Sequence, residues 1–134
     1  MLVLLDALMD LLRKADEDTW ELVEEGSFGQ PAFCASWVLT WFAHDIKKLD
    51  DVKRIYDVCL SQHPIFPIYL AVATILYNKV RLEENFDWED PQTSIFLVFQ
   101  KIGEKLDVFE SETIIQSALR LVKDCPPESI TKRK

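Results

Sequence analysis

Glycine and histidine are scarce in this chain of 134 residues, which contains three glycines and two histidines. Sheet proteins need frequent tight turns and strands in which apolar and polar residues alternate, and the sequence shows neither pattern. The composition therefore predicts an all-α fold. With His44 and His63 as the only histidines, no zinc-binding spacing is present, so we predict neither a metal site nor a cofactor.

Cysteine is also sparse, and its three copies, Cys34, Cys59 and Cys125, are widely spaced. An odd number without any C-x-x-C pair does not form a disulfide framework or a zinc ribbon. Each cysteine lies beside apolar residues. The pattern therefore predicts buried, reduced thiols in a cytosolic protein.

Basic residues are outnumbered, with 15 lysines and arginines against 23 aspartates and glutamates, for a net charge of −8. An acidic protein repels phosphate backbones, so nucleic acid is excluded as a partner. The longest apolar run, Ile65 to Tyr77, is interrupted by Pro67 and is shorter than the ~20 residues needed to cross a bilayer. We therefore predict no membrane span in this chain, and we interpret the apolar start as an amphipathic helix because Asp6 and Asp10 interrupt it.

Hydrophobic residues are abundant at 49%, and they concentrate between Pro31 and Tyr77. Their spacing predicts about seven helices in an irregular orthogonal bundle, with the helix starting at Pro31 at its centre. The predicted helices are Leu2–Ala15, Glu17–Glu25, Pro31–Ile46, Asp51–Gln62, Pro67 to Glu83 or Glu84, Pro91–Ile102, and a last helix that follows Ser111 and ends at Asp124.

Short polar residues and a glycine mark the predicted helix ends. We expect Asp50, Asp90 and Ser111 to act as N-caps, and Gly26 to end the second helix in the left-handed conformation. Trp88 is expected to fill a groove on the protein surface. Residues 1–127 are expected to form one domain, and residues 128–134 a basic tail that frays.

Two polar clusters contain residue types that occur in catalytic or metal sites. Ser36, Thr40 and His44 share one helical stripe, but no third group orients a nucleophile, and small hydroxyls bond back to carbonyls of their own helix. The loop NFDWED lacks the glycine and the terminal glutamate of a calcium loop. The sequence therefore predicts no catalytic residue and no metal ligand.

Three segments together resemble the C-terminal half of the TBC domain, the Rab GTPase-activating fold. They are CASWVLTWF at 34–42, RIYD at 54–57 and HPIFPIY at 63–69. SWVLTWF followed by HPIFPIYLA, with CPPES at 125–129, is most similar to the branch anchored in the endoplasmic reticulum, which acts on Rabs of early secretory traffic. The residues that carry the resemblance are Trp37, Trp41, Phe42, Arg54, Tyr56, Asp57, Pro64, Pro67 and Tyr69.

The resemblance implies structural roles for these residues. Trp37, Trp41, Phe42, Tyr56 and Tyr69, together with Ile55, are expected in the core. Arg54 and Asp57 are expected to form a buried or half-buried polar link.

The resemblance also implies a partner and a mechanism. TBC proteins insert an arginine and a glutamine into the nucleotide site of a Rab, from motifs of the form I-x-x-D-x-x-R and Y-x-Q-G in the N-terminal half of the domain. Neither motif occurs here: Asp51 and Arg54 give D-x-x-R, but Lys48 stands where isoleucine is required, and no Y-x-Q is present.

We therefore expect part of a Rab GTPase activator that is not itself an enzyme and that meets a Rab when joined to its catalytic half. It is expected to be cytoplasmic, at the cytosolic face of the endoplasmic reticulum or Golgi through a segment outside this chain. The alternative is a non-catalytic helical interaction or scaffold module, with self-association through an exposed apolar face.

Overall fold

The computed structural model describes residues 2–27, 32–43, 46–99 and 110–131. Over these ranges the chain is all-α, as predicted, with nine α-helices and one short 3-10 helix at Ala32–Cys34. The predicted positions Pro31, His44, Ile102 and Lys132–Lys134 lie outside the described residues. The α-helices are α1 Leu2–Ala15, α2 Glu17–Ser27, α3 Ala35–Leu39, α4 Leu49–Ser61, α5 Phe66–Tyr77, α6 Lys79–Asn85, α7 Pro91–Phe99, α8 Ser111–Asp124 and α9 Pro127–Thr131.

The centre of the fold is α5, in which every residue from Phe66 to Ile75 is buried. It packs against α8, α1 and α3. A helix that is apolar around its whole circumference is stable only when other elements cover every side of it. The prediction that the helix starting at Pro31 occupies the centre is therefore wrong.

The segment from Ala32 to Ala43 is not one helix, as its apolar pattern predicts, because α3 ends after five residues. The Thr40 hydroxyl donates a hydrogen bond to the Ser36 carbonyl at 2.8 Å. Trp41 and Phe42 then adopt left-handed backbone angles, with φ of 51° and 69°. This reversal returns the Phe42 ring to the core, where it stacks on Trp37 with centroids 5.6 Å apart.

The predicted helix Pro67–Glu84 is also divided, because α5 ends at Tyr77 and α6 begins at Lys79. Asn78 between them is buried, and its side-chain amide donates to the Thr74 carbonyl at 2.8 Å. Asparagine side chains compete with the backbone for hydrogen bonds in this way, which favours helix ends. The break turns α6 so that it packs against α7.

Gly26 lies inside α2 and does not end that helix, so its predicted capping role is wrong. A Cβ atom at this position would lie 2.3 Å from Cδ1 of Ile95 and 2.9 Å from the carbonyl oxygen of Pro91. Glycine is therefore required because α7 approaches the backbone of α2 closely.

The N-caps differ from prediction at two helices out of three. α4 has Lys48 at its N-cap, and Asp50 lies in its first turn. The N-cap of α8 is Glu110, whose carboxylate accepts a hydrogen bond from the Thr113 amide at 2.8 Å. Hydrogen bonds from the side chain and the amide of Thr113 lower the pKa of Glu110. At α7 the prediction is confirmed, since Asp90 accepts a long 3.4 Å bond from the Thr93 amide.

The fraying predicted from Glu128 onward is wrong for the residues up to Thr131, which form α9 with Pro127. Ile130 in this helix is buried, and the Lys14 ammonium donates to the Ser129 carbonyl at 2.9 Å. α9 is therefore held against α1 by both apolar packing and a hydrogen bond.

Candidate functional site

The tryptophan-rich segment divides between the core and the surface. Trp37 and Phe42 are buried, as expected from the resemblance, whereas Trp41 is only half-buried. The Trp41 ring lies against the ring of Tyr56 in α4, with centroids 5.0 Å apart and planes tilted by 53°. The Tyr56 hydroxyl donates to the Thr40 carbonyl at 3.0 Å, so Tyr56 fastens the left-handed turn to α4.

The core position expected for Tyr56 is wrong, because 36% of this residue is exposed. Its neighbour Ile55 is fully buried, as expected. Tyr56 leaves the core because its hydroxyl reaches the backbone at the surface turn, where it finds an acceptor.

The expected link between Arg54 and Asp57 is replaced by an ion pair between two helices. Nε of Arg54 lies 2.6 Å from Oε2 of Glu112 in α8, and both side chains are largely exposed. This hydrogen bond raises the pKa of Arg54 further above its usual value. Beside it, the Ser111 hydroxyl donates to the Asp51 carboxylate at 2.9 Å, so α4 and α8 are joined by two polar contacts.

The segment HPIFPIY at 63–69 connects the surface turn after α4 to the buried helix α5. Pro64 is exposed in the turn before α5, and Pro67 lies in the first turn of that helix, where a missing N–H is tolerated. Tyr69 is fully buried, and its hydroxyl donates to the Cys125 carbonyl at 2.5 Å. Burial raises the pKa of Tyr69 to about 12, so the phenol stays protonated and keeps this hydrogen bond.

The three cysteines are free thiols, with Cys34 and Cys59 buried and Cys125 half-buried. Burial raises the pKa of Cys34 and Cys125, and it raises the pKa of Cys59 to about 12. A protonated thiol is a weak nucleophile and a weak metal ligand. None of these cysteines therefore has the character of a catalytic residue.

Only part of the Ser36, Thr40 and His44 stripe falls within the described residues. The Thr40 hydroxyl is bonded to its own helix, while the third residue of that stripe, His44, lies outside the described residues. Within the described ranges, no three histidine, cysteine, aspartate or glutamate side chains are grouped closely enough to hold a metal ion. Across the same ranges, no helix is both long and apolar enough to span a bilayer.

The surface carries an open groove of about 240 Å³ between α5 and α8. Arg120 and Asp124 lie at its rim, and Leu76 and Leu121 form part of its apolar wall. None of the residues that carry the family resemblance lines this groove. The motif therefore builds the core and the surface beside α4, not a cleft.

One surface feature was missed by the sequence analysis. Leu49 and Leu60 at the two ends of α4 are 65% and 73% exposed, and Tyr56 lies between them on the same side of the helix. Together with Lys53, they form what we call the α4 face. The spacing of seven and four residues between the three apolar positions is a helical stripe in the sequence itself, and it could have been found there.

A second apolar region lies around α7. Trp88 does not fill a groove, as predicted, but is 63% exposed, with its ring edge-on to Phe86 at 4.9 Å. Phe96 and Leu97 are exposed on the outer side of α7. The prediction for Trp88 is wrong because its aromatic partner is its own neighbour in the loop.

Comparisons with known proteins agree with the motif. The family described as the Rab-GTPase-TBC domain matches residues 1–82. "TBC1 domain family member 20" from Homo sapiens and from Bos taurus are each 29% identical over 129 residues, which is 96% of this chain and 30% of the relative. "GTPase-activating protein gyp10" from Schizosaccharomyces pombe is 29% identical over 80 residues, covering 60% of this chain and 21% of the relative.

The chain thus spans less than a third of the length of the curated relatives it matches. The family match covers more than half of this chain and includes all nine residues that carry the resemblance. The chain belongs to the Rab-GTPase-TBC domain family.

Proposed function

We propose that this chain is part of a GTPase-activating protein for Rab-family small GTPases and lacks the half that supplies the arginine and glutamine fingers. The observation that carries the proposal is the family match over residues 1–82 of a sequence that contains neither I-x-x-D-x-x-R nor Y-x-Q-G. The name of the yeast relative, which describes a GTPase-activating protein, supports the same function.

The contacts of Arg54 support the absence of a finger. This arginine completes the D-x-x-R pattern in α4, but its guanidinium is bonded to Glu112 of α8. A finger arginine must enter the nucleotide site of the GTPase and stabilise charge on the phosphoryl group. A guanidinium that joins two helices of its own domain has a structural role instead.

The resemblance to the branch anchored in the endoplasmic reticulum suggests where the whole protein acts. We propose the cytosolic face of the endoplasmic reticulum or Golgi, reached through a segment outside this chain. This chain carrying a fluorescent tag is then expected to spread through the cytosol. Co-localisation of the tagged chain itself with a marker of the endoplasmic reticulum would show that targeting needs no separate segment. That result would contradict this proposal.

The decisive experiment measures phosphate release from a panel of GTP-loaded Rabs mixed with the purified chain. An arginine finger raises hydrolysis by about 10³–10⁵-fold, so its presence or absence is unmistakable. We expect the rates to stay within about twofold of the intrinsic rates, a margin far below that of a finger. The S. pombe relative, measured on the same panel, is the positive control.

Arg54→Ala provides the matched variant. If the chain stimulates hydrolysis and this substitution abolishes the stimulation, Arg54 is a finger and the proposal is wrong. If the wild-type chain and the variant both leave the intrinsic rates unchanged, the proposal is supported.

The second candidate function is a non-catalytic interaction module that retains half of the fold. The exposed apolar residues of the α4 face favour it, because large apolar side chains grouped on a surface mark contact sites. Binding of GTP-loaded Rab to this chain alone, measured by biolayer interferometry, separates the two functions. Measurable binding without stimulated hydrolysis favours the module, and no binding favours a part that needs its catalytic half.

A further inference from the structure

The α4 face is an aligned stripe of three exposed apolar residues with one lysine among them, not a set of scattered side chains. Leu49, Tyr56 and Leu60 lie seven and four residues apart, which places them on one side of a 13-residue helix. Trp41, packed on Tyr56, widens the stripe at its middle. Single exposed leucines are ordinary in soluble proteins, whereas an aligned apolar stripe on a surface helix is typical of a contact surface.

Two opposite charges accompany this stripe. Lys53 lies on the stripe between Leu49 and Tyr56, and Asp57 lies beside it one turn further along, with both side chains exposed. Arg54 is already bonded to Glu112 and points toward α8. The α4 face therefore carries one cation, Lys53, and the anion Asp57 lies at its edge four residues later, between a leucine at each end. The exposed Asp50 lies on the same side as Asp57, seven residues earlier.

This arrangement is complementary to itself in one orientation. When two α4 helices lie antiparallel, Lys53 of one copy faces Asp57 of the second copy, and the twofold axis repeats the pair. Leu60 of each copy then lies over the first turn of the other, where Leu49 is exposed. A parallel arrangement would place Lys53 against Lys53, so the charges select the antiparallel one.

We propose that two copies of this chain associate through the α4 face, with their α4 helices antiparallel. The inference does not depend on the proposed action on Rabs, because it uses only the contacts and charges of α4. A standard stable interface buries about 800 Å² on each partner, more than one face of a single short helix provides. The dimer is therefore weak and depends on protein concentration.

The test is sedimentation velocity of the purified chain over a concentration series at about 0.15 M salt, where only close charge pairs escape screening. Lys53→Asp and Asp57→Lys each place like charges opposite each other in both copies, so we expect each variant to weaken association at least tenfold. An equimolar mixture of the two variants restores both opposite-charge pairs in a mixed dimer. We expect this mixture to associate about as well as the wild-type chain.

Matched controls carry the same charge changes elsewhere on the surface. Lys123→Asp in α8 and Glu84→Lys in α6 alter the net charge equally at exposed positions, and we expect both to leave association unchanged. Circular dichroism confirms that every variant is folded. Recovery in the mixture is a readout that a folding defect cannot produce.

A wild-type chain that stays monomeric up to about 100 μM would overturn the proposal and assign the α4 face to a different protein, such as a GTPase or another part of the domain. If both charge-reversal variants associate as strongly as the wild-type chain, the contact lies on another surface, such as that around α7, and the proposal is wrong. Failure of the mixture to associate would also overturn it. The Rab hydrolysis assay is unaffected by any of these outcomes.

Discussion

The helix α5 and the segment Ala32–Ala43 are both rich in large apolar residues, yet they fold in different ways. α5 is helical from Phe66 to Tyr77, and ten of its twelve residues are buried. The other segment breaks after Leu39 and places Leu39 and part of Trp41 at the surface. Similar hydrophobicity therefore predicts burial of a segment as a whole, but not the continuity of its helix.

The difference arises from what surrounds each segment. α5 has α1, α3 and α8 around it, so every side of a regular helix finds an apolar neighbour. The segment Ala32–Ala43 lies at the edge of this core, and its chain turns at Thr40 to return Phe42 to the interior. Left-handed angles at two successive aromatic residues cost about 1–2 kcal/mol each, and the burial of Phe42 offsets roughly 1.5–3 kcal/mol of this cost.

The largest expected difference comes from the same truncation in both segments. Leu70→Ala in α5 removes a fully buried side chain and should lower the free energy of unfolding by about 2–5 kcal/mol. Leu39→Ala, at a position that is 64% exposed, should change it by less than about 0.5 kcal/mol. Urea unfolding followed by tryptophan fluorescence measures both, and similar losses would show that the two segments are equally buried in solution.

Gly26→Ala tests whether the close packing around α5 extends outward to α2 and α7. The added Cβ overlaps Cδ1 of Ile95, so we expect a loss of about 1–3 kcal/mol in urea unfolding. Ile95→Val removes the overlapping atom and should recover part of that loss in the double variant. Independent, additive effects of the two substitutions would disprove the contact.

Glycine substitutions should act with opposite signs in the two segments. Trp41→Gly should be more stable than Trp41→Ala by about 1 kcal/mol, because only glycine adopts a positive φ without strain. Ala73→Gly in the middle of α5 should instead lose about 1 kcal/mol. Thermal unfolding of the three variants compares their stabilities. If Trp41→Gly is less stable than Trp41→Ala, the backbone at Trp41 is helical and not left-handed.

The smallest expected effect concerns Tyr69, whose hydroxyl ties α5 to the end of α8. Tyr69→Phe removes one hydrogen bond and should lower stability by about 1 kcal/mol at neutral pH. Because the pKa of Tyr69 is raised to about 12 in the folded state, its contribution is complete below the unfolded pKa of about 10 and disappears as the pH rises to about 12.

The matched measurement is urea unfolding of both proteins between pH 8 and pH 12. Burial also raises the pKa of the Cys59 thiol to about 12, so Cys59 likewise reduces stability as the pH rises. Tyr69→Phe retains Cys59, so both proteins share this part of the stability loss. The wild-type chain should therefore lose more stability over this range than the variant. Equal losses would show that Tyr69 is exposed to solvent in the folded protein.

Much of the fold could be predicted from spacing alone, since α1 has the expected bounds Leu2–Ala15 and α8 ends at Asp124 as expected. The break at Thr40, the function of Gly26 and the N-cap of α8 could not. Each of these depends on an atom that is distant in sequence or on competition between two polar groups, such as Glu110 and Ser111 at one helix end. A pattern of hydrophobicity contains neither kind of information.

The candidate site shows the same limit. The segments around Trp37, Arg54 and Tyr69 identify the family from the sequence, but they do not show which of these side chains reach solvent. Arg54 is paired with a residue 58 positions away, and Tyr56 with a carbonyl 16 positions away. Only the folded arrangement separates the buried motif residues from those of the α4 face.

The packing of α5 against α8 has a consequence for the synthesis of this protein. The most apolar of the described helices ends at Tyr77, but the helix against which it packs most extensively is not complete until Asp124. At a translation rate of about 5–20 residues per second, synthesis of α8 is completed roughly 2 to 9 seconds after synthesis of α5. During that interval the apolar surface of α5 is a natural target for chaperones that bind nascent chains, so translation speed between the two helices influences how much of the protein reaches its folded state.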